Sequence, residues 1–139
     1  MKPWLTPLAI IIALGGLALW AKHQQAQPGG AQIIACKDPV TGCGFVHNGQ
    51  QSQLRFSTVP KSMEAFNIEL YAPAVQKVSA QFQMNGMDMG FNRYDFKTGQ
   101  DGQFKAESIL LPVCTQSRSD WIVFFNLDDK RYQVNFQAR

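Results

Sequence analysis

Histidine and charged residues are scarce in this sequence, and their scarcity excludes several kinds of function. The two histidines, His23 and His47, have no partner at the His-x3-His or His-x-His spacing of metal sites. Charged residues make up 17% of the chain and form no basic run, so the clustered Lys/Arg face of a nucleic-acid-binding protein is absent. The sequence contains no G-x-S-x-G elbow, P-loop or paired-carboxylate pattern. We therefore expect a protein that is not an enzyme and does not bind nucleic acid.

The long hydrophobic run of the sequence, residues 4–21, contains no charged residue. As an α-helix it would extend about 27 Å, close to the bilayer's hydrocarbon thickness of roughly 30 Å. Trp4 and Trp20 stand near its two ends, and indole rings favour the membrane interface. A cleavable signal peptide is the alternative, but its apolar region would span about 7–15 residues and end in a small-x-small site. The sequence favours a retained transmembrane anchor over residues 1–21.

The three cysteines indicate the compartment. Cys36 and Cys43 lie close together in a stretch with glycine and proline, and this pattern predicts a small disulfide loop formed under oxidising conditions. A reduced cytoplasmic pair is the alternative. Because Lys2 and Lys22 flank the hydrophobic run on both sides, charge does not set its direction. The cysteines favour a single-pass protein of the inner membrane, with its N terminus in the cytoplasm and its domain in the periplasm.

Short stretches of alternating apolar and polar residues dominate the rest of the chain. Residues 22–32 are polar, include Pro28-Gly29-Gly30, and predict a flexible linker. In residues 33–139, Asn48-Gly49 favours a type I′ hairpin turn. Predicted strands cover residues 44–47, 53–58, 66–71, 75–83, 91–98, 103–111, 121–127 and 132–137. Aromatic residues predicted for the core are Phe56, Phe66, Phe82, Phe104, Trp121, Phe124 and Phe136.

The number and spacing of these strands predict an all-β domain. The expected fold is an immunoglobulin-like antiparallel β-sandwich of about seven strands, preceded by one N-terminal transmembrane helix. A small barrel is the alternative.

A cluster of methionines between two predicted strands is the first candidate site. Met84, Met87 and Met89 lie within one short loop that also contains two glycines. Thioethers are neutral and polarisable, and soft ligands of this kind suit Cu(I). The alternative is that these side chains pack against the end of the sandwich.

Cys114 is the second candidate, because pairing of Cys36 with Cys43 leaves it as an odd thiol. Alternating strand directions bring its loop to the same rim as the three methionines, and they place Cys43 there as well. With a short linker, this arrangement predicts that a site of Met84, Met87, Met89 and Cys114 faces the membrane. Cys114 could instead be a buried small apolar residue, or it could attack the Cys36–Cys43 bond in thiol–disulfide exchange.

Four short stretches and one tryptophan carry a resemblance to known proteins: residues 36–45, 87–93, 101–104 and 111–114, with Trp121. They resemble an uncharacterised family of proteobacterial membrane-anchored periplasmic proteins, and the likeness covers roughly residues 33–137. The Met-rich loop is also similar to FixH/YtkA-like β-sandwich domains, which are linked with copper supply and oxidase assembly. This resemblance implies a metallochaperone or assembly factor with a Cu(I) cofactor and a membrane complex, such as a terminal oxidase, as partner. A metal-free interaction module tethered to an inner-membrane complex is the alternative.

Overall fold

The computed structural model describes residue 16 and residues 30–87 and 92–139. The predicted anchor and most of the predicted linker therefore lie outside the described residues. In the part that is described, no helix is long and apolar enough to cross a membrane. The chain divides after Gly30, and Ala31–Arg139 forms one compact unit.

Ten β-strands form this unit within the described residues, and no helix accompanies them there. They are β1 (Gln32–Ile33), β2 (Cys43–His47), β3 (Gln50–Phe56), β4 (Phe66–Tyr71), β5 (Val78–Met84), β6 (Arg93–Asp95), β7 (Lys97–Thr98), β8 (Gln103–Ile109), β9 (Asp120–Leu127) and β10 (Lys130–Gln137). The first sheet has the order β1-β10-β9-β5-β6, and the second has the order β2-β3-β4-β8-β7. All pairs are antiparallel except β1 with β10. This two-sheet β-sandwich confirms the predicted all-β fold.

The strand count differs from the prediction in two places. The predicted strand 91–98 divides into β6, which pairs with β5, and β7, which pairs with β8 in the other sheet. Phe96 lies between them with 9% of its surface exposed. The chain therefore passes from the first sheet to the second at Phe96, and one alternating run of sequence contributes a strand to each sheet. The strand β1 has only two residues, too few for an alternating pattern to be visible in the sequence.

Aromatic side chains make up much of the core, but one of the aromatic residues predicted to be buried there, Phe124, is not. Phe124 lies half-buried on the outer face, with the Arg131 guanidinium carbon 4.1 Å from its ring centroid. Its neighbour Phe125 is buried instead. The reason is the period of two along a strand: Trp121 and Phe125 share one face of β9, and Phe124 belongs to the other. Other predicted aromatics confirmed as buried are Phe56, Phe66, Phe82, Phe104, Trp121 and Phe136.

The two ends of the sandwich are distinguished by the pairing of β5 with β9. At one end, called the methionine end below, Met84 pairs with Trp121. At the other, called the linker end, Val78 pairs with Leu127. Gln32 lies beside Tyr132 near the start of β10, and β1 runs parallel to β10, so the chain enters the sandwich at the linker end.

Candidate soft-metal site

The first half of the methionine loop is a tight turn. After β5 ends at Met84, Asn85 and Gly86 reverse the chain, and Met87 donates its backbone N–H to the Met84 carbonyl at 3.0 Å. Met84 and Met87 also form an antiparallel bridge. Gly86 has a φ of 77°, a left-handed conformation that glycine adopts without a steric penalty. The turn therefore brings the Met87 backbone alongside the end of β5.

The two methionines of this turn occupy different environments. Met84 is fully buried, at 0% exposure, opposite Trp121 on β9. Met87 is half-buried and packs against the outside of the core. The Met84 thioether can reach a metal only if the core opens, whereas that of Met87 lies at the surface. Met89 lies outside the described residues.

Cys114 lies in the segment that connects β8 to β9, residues 110–119. This segment crosses from the second sheet to the first and reaches β9 beside Trp121, at the methionine end. Ser117 donates its backbone N–H to the Cys114 carbonyl at 3.2 Å, so the chain turns directly after the cysteine. The Cys114 side chain is half-buried and packs against the core as a free thiol.

The other two cysteines form the predicted disulfide. Cys36 and Cys43 are bonded, with their Cα atoms 5.3 Å apart. The loop that they close reaches the methionine end, where Pro39 lines the same cleft as Asn85 and Trp121. The prediction that the disulfide and the Met/Cys rim coincide in space is correct for this loop.

An open cleft of about 390 Å³ separates the disulfide loop from the ends of β9 and β10. Asn85 of the methionine turn lines it, as does Trp121, whose exposure is 1%. The Trp121 Nε1–H is buried and has no hydrogen-bond partner among the described residues. The indole therefore lies between the methionine turn and the cleft, where it can report optically on changes at this end.

An ion pair stands beside Cys114. Arg118 Nε donates to Asp120 Oδ1 at 3.0 Å, and this hydrogen bond lowers the pKa of Asp120 and raises the pKa of Arg118. Arg118 lies four residues after Cys114, just before β9 begins at Asp120.

Met63 is a candidate that the sequence analysis missed. It lies in the connection between β3 and β4, with 65% of its surface exposed. Its backbone N–H donates to the Leu111 carbonyl at 2.9 Å, which brings it against the segment that carries Cys114. Apart from its residue type, nothing in the sequence pointed to Met63, because it stands far from the other methionines of the cluster along the chain.

The methionine end does not lie where the sequence analysis expected it. The expectation that the candidate site faces the membrane placed the start of the domain at the same rim. In the structure, Ala31 and Gln32 lie at the linker end, and the chain then runs along β10 before it reaches Cys36. The candidate site and the point where the linker joins the domain are therefore at opposite ends of the sandwich.

Imidazole and carboxylate groups do not assemble into a metal site in the described part of the chain. No group of three or more His, Cys, Asp or Glu side chains among residues 30–87 and 92–139 could hold a metal ion. His47 is buried at the linker end, where its Nδ1 lies 2.8 Å from the Tyr132 hydroxyl.

No protein-family model matches this chain, and no curated protein and no solved structure is significantly similar to it.

Proposed function

We propose that this chain is a membrane-anchored periplasmic protein that binds Cu(I) at the methionine end and acts as a metallochaperone or oxidase-assembly factor. Met87, Met89 and Cys114 are the proposed ligands. The observation that carries the proposal is the placement of a free thiol and a half-buried thioether, Cys114 and Met87, at one end of the sandwich. Met84 is fully buried, so its role in this proposal is to anchor the turn to the core and not to bind the metal.

The chemistry of this donor set suits a soft ion. Thioethers carry no charge and no proton to displace, and a single thiolate supplies one negative charge, so Cu(I) bound by them is neutral overall. Packing against the core restricts both side chains, and each residue keeps part of its surface exposed. A partner protein could then reach the metal by ligand exchange.

The periplasmic location rests on the disulfide and on the hydrophobic run. A Cys36–Cys43 bond forms and persists in an oxidising compartment, and residues 4–21 are long enough for one transmembrane helix. In this proposal the linker joins the sandwich at the end remote from the metal. The site would then point toward the periplasmic part of a membrane partner such as a terminal oxidase.

An immunoglobulin-like topology is proposed for the sandwich. The order β10-β9-β5 corresponds to strands G-F-C of that fold, and β3-β4-β8-β7 corresponds to A-B-E-D. In this assignment β2 adds a strand beyond A, and β1 pairs in parallel with G.

A Cu(I) titration against a chromophoric chelator under anaerobic conditions tests the function. We expect the purified full-length chain to bind Cu(I), and the double variant Met87→Leu/Cys114→Ser to lose that binding. Met84→Leu is the matched control, because it keeps an apolar side chain of similar volume in the core. Unchanged affinity in the double variant would refute the proposed ligands.

A second candidate function is a metal-free interaction module. Three exposed apolar side chains, Met63, Leu110 and Val113, lie on the connections beside Cys114, and surface of this kind can contact a partner protein. Recovery of the intact chain in a membrane complex, without copper in either component, would favour this function over the first.

A further inference from the structure

We propose that Met63 is a further Cu(I) ligand and supplies the solvent-facing sulfur of the site at the methionine end. This inference rests on the proposed copper function and adds a residue to which neither the methionine cluster nor the resemblance points. The exposed thioether of Met63 and the thiol of Cys114 would hold the ion together with Met87.

The pairing of two connections places Met63 near Cys114. Ser62 forms a parallel bridge with Leu111, and neighbouring strands lie about 4.8 Å apart. Met63 donates its backbone N–H to the Leu111 carbonyl at 2.9 Å, within a turn that the Glu64 N–H closes onto the Lys61 carbonyl. Pro112 follows Leu111 on the segment that leads to Cys114. Cys114 is two residues beyond Pro112, at most about 7 Å along the chain. Two flexible side chains, one of them a long thioether, can span the remaining separation.

The backbone of Met63 is fixed in an uncommon conformation. Its φ is 62°, in the left-handed region, which is sterically unfavourable for a residue that has a Cβ atom. The hydrogen bond from its N–H to the Leu111 carbonyl holds it there. The backbone is thus held in place at the methionine with the greatest exposure among those described.

The side chain of Met63 has no packing role to account for it. At 65% exposure it lies outside the core, in contrast to Met84 at 0%. Leucine at this position would keep the apolar surface and remove the sulfur, so a Met63→Leu chain should fold normally. Val113, exposed by 63% on the segment that carries Cys114, offers a matched control that changes the same surface without touching a sulfur.

Cu(I) affinity of the full-length chain is the first test, with Met63→Leu and Val113→Ala compared with wild type. Removal of even an outer-shell partner weakens metal binding by about 10–100-fold, so loss of a direct ligand should reduce affinity at least tenfold. Val113→Ala should bind as wild type does. If wild type binds Cu(I) and Met63→Leu binds it equally well, Met63 is not a ligand while the proposed function stands. If wild type binds no Cu(I), both fail.

Protection from oxidation provides a readout that a structural role would not change. Ag(I) replaces Cu(I) in this test because it is a soft ion that does not react with peroxide. We expect peroxide to convert Met63 to its sulfoxide quickly in the apo chain and severalfold more slowly in the Ag(I)-loaded chain, measured by peptide mass spectrometry. The same oxidation rate in both, with metal bound, would overturn the inference.

Discussion

The imidazole of His47 and the hydroxyl of Tyr132 form a buried hydrogen bond of 2.8 Å that joins β2 of one sheet to β10 of the other. On its other side, His47 Nε2 lies 3.1 Å from the Asn48 amide nitrogen in the β2–β3 turn. Burial lowers the pKa of His47 from 6.5, and the positive charge of Lys130 lowers it further. The linker end is therefore stabilised by a neutral histidine.

This arrangement predicts acid sensitivity with a definite sign. The unfolded chain binds a proton at His47 near pH 6.5, and the folded chain binds it only at lower pH. The contribution is fully present above pH 6.5 and is lost as the pH falls from there through the lowered folded pKa. Urea unfolding between about pH 8 and about pH 5 should show this decline. The variant His47→Gln should show a flatter profile, and an identical decline in that variant would contradict the assignment.

The disulfide should stabilise the domain measurably although its loop is short. The bonded cysteines are separated by 7 positions, and closing a loop of that size contributes about 2–3 kcal/mol to the free energy of unfolding. The variant Cys36→Ala/Cys43→Ala should lose that amount in chemical denaturation. The matched variant Cys114→Ser should change stability by about 1 kcal/mol or less, because its thiol is half-buried and unbonded. Equal losses in the two variants would contradict the bonding.

Substitutions at Met84 and Met87 should have different effects, the first on the stability of the domain and the second on Cu(I) binding. Met84→Ala removes a fully buried side chain opposite Trp121 and should destabilise the domain by about 2–5 kcal/mol. Met87→Ala, on the half-buried side of the turn, should lower stability much less but weaken Cu(I) binding. Thermal unfolding and Cu(I) competition on both variants measure the two effects. A large stability loss for Met87→Ala would place it in the core instead.

Two glycines with the same backbone angle provide a positional control. Gly86, in the methionine turn, and Gly49, in the β2–β3 turn at the linker end, both have a φ of 77°, and neither has a neighbouring atom within 4 Å of an added Cβ. Alanine at either position should therefore destabilise the chain similarly, by roughly 1–2 kcal/mol. Only Gly86→Ala should also weaken Cu(I) binding, because it displaces Met87. Equal Cu(I) affinities in the two variants would argue against a site built on the turn.

The sequence predicted the fold well where the alternation of apolar and polar residues was regular. The strand 66–71 was predicted with the bounds that β4 has in the structure, and the two long strands β9 and β10 were placed within two residues. The prediction was wrong where one alternating run serves two sheets, at β6 and β7. It also failed at Phe124, where two adjacent aromatics compete for one inward position.

The candidate site was harder to predict than the fold, for a physical reason. Residues that are neighbours along the chain, such as Met84 and Met87, can differ completely in burial, because a turn between them changes the face that each presents. Conversely, Met63 is distant from Cys114 along the chain, and only the pairing of Ser62 with Leu111 brings it to the segment that carries Cys114. The direction of β1 places the start of the domain at the linker end, remote from the methionine end, and a two-residue parallel strand leaves no pattern in the sequence.

The ligand atoms of bound copper test the central claim most directly. X-ray absorption at the copper edge, measured on the full-length chain loaded with one equivalent of Cu(I), distinguishes sulfur from nitrogen and oxygen neighbours. The account predicts a first shell made of sulfur alone, which loses sulfur in the variant Cys114→Ser. A shell of nitrogen and oxygen, or a chain that retains no copper, would contradict it.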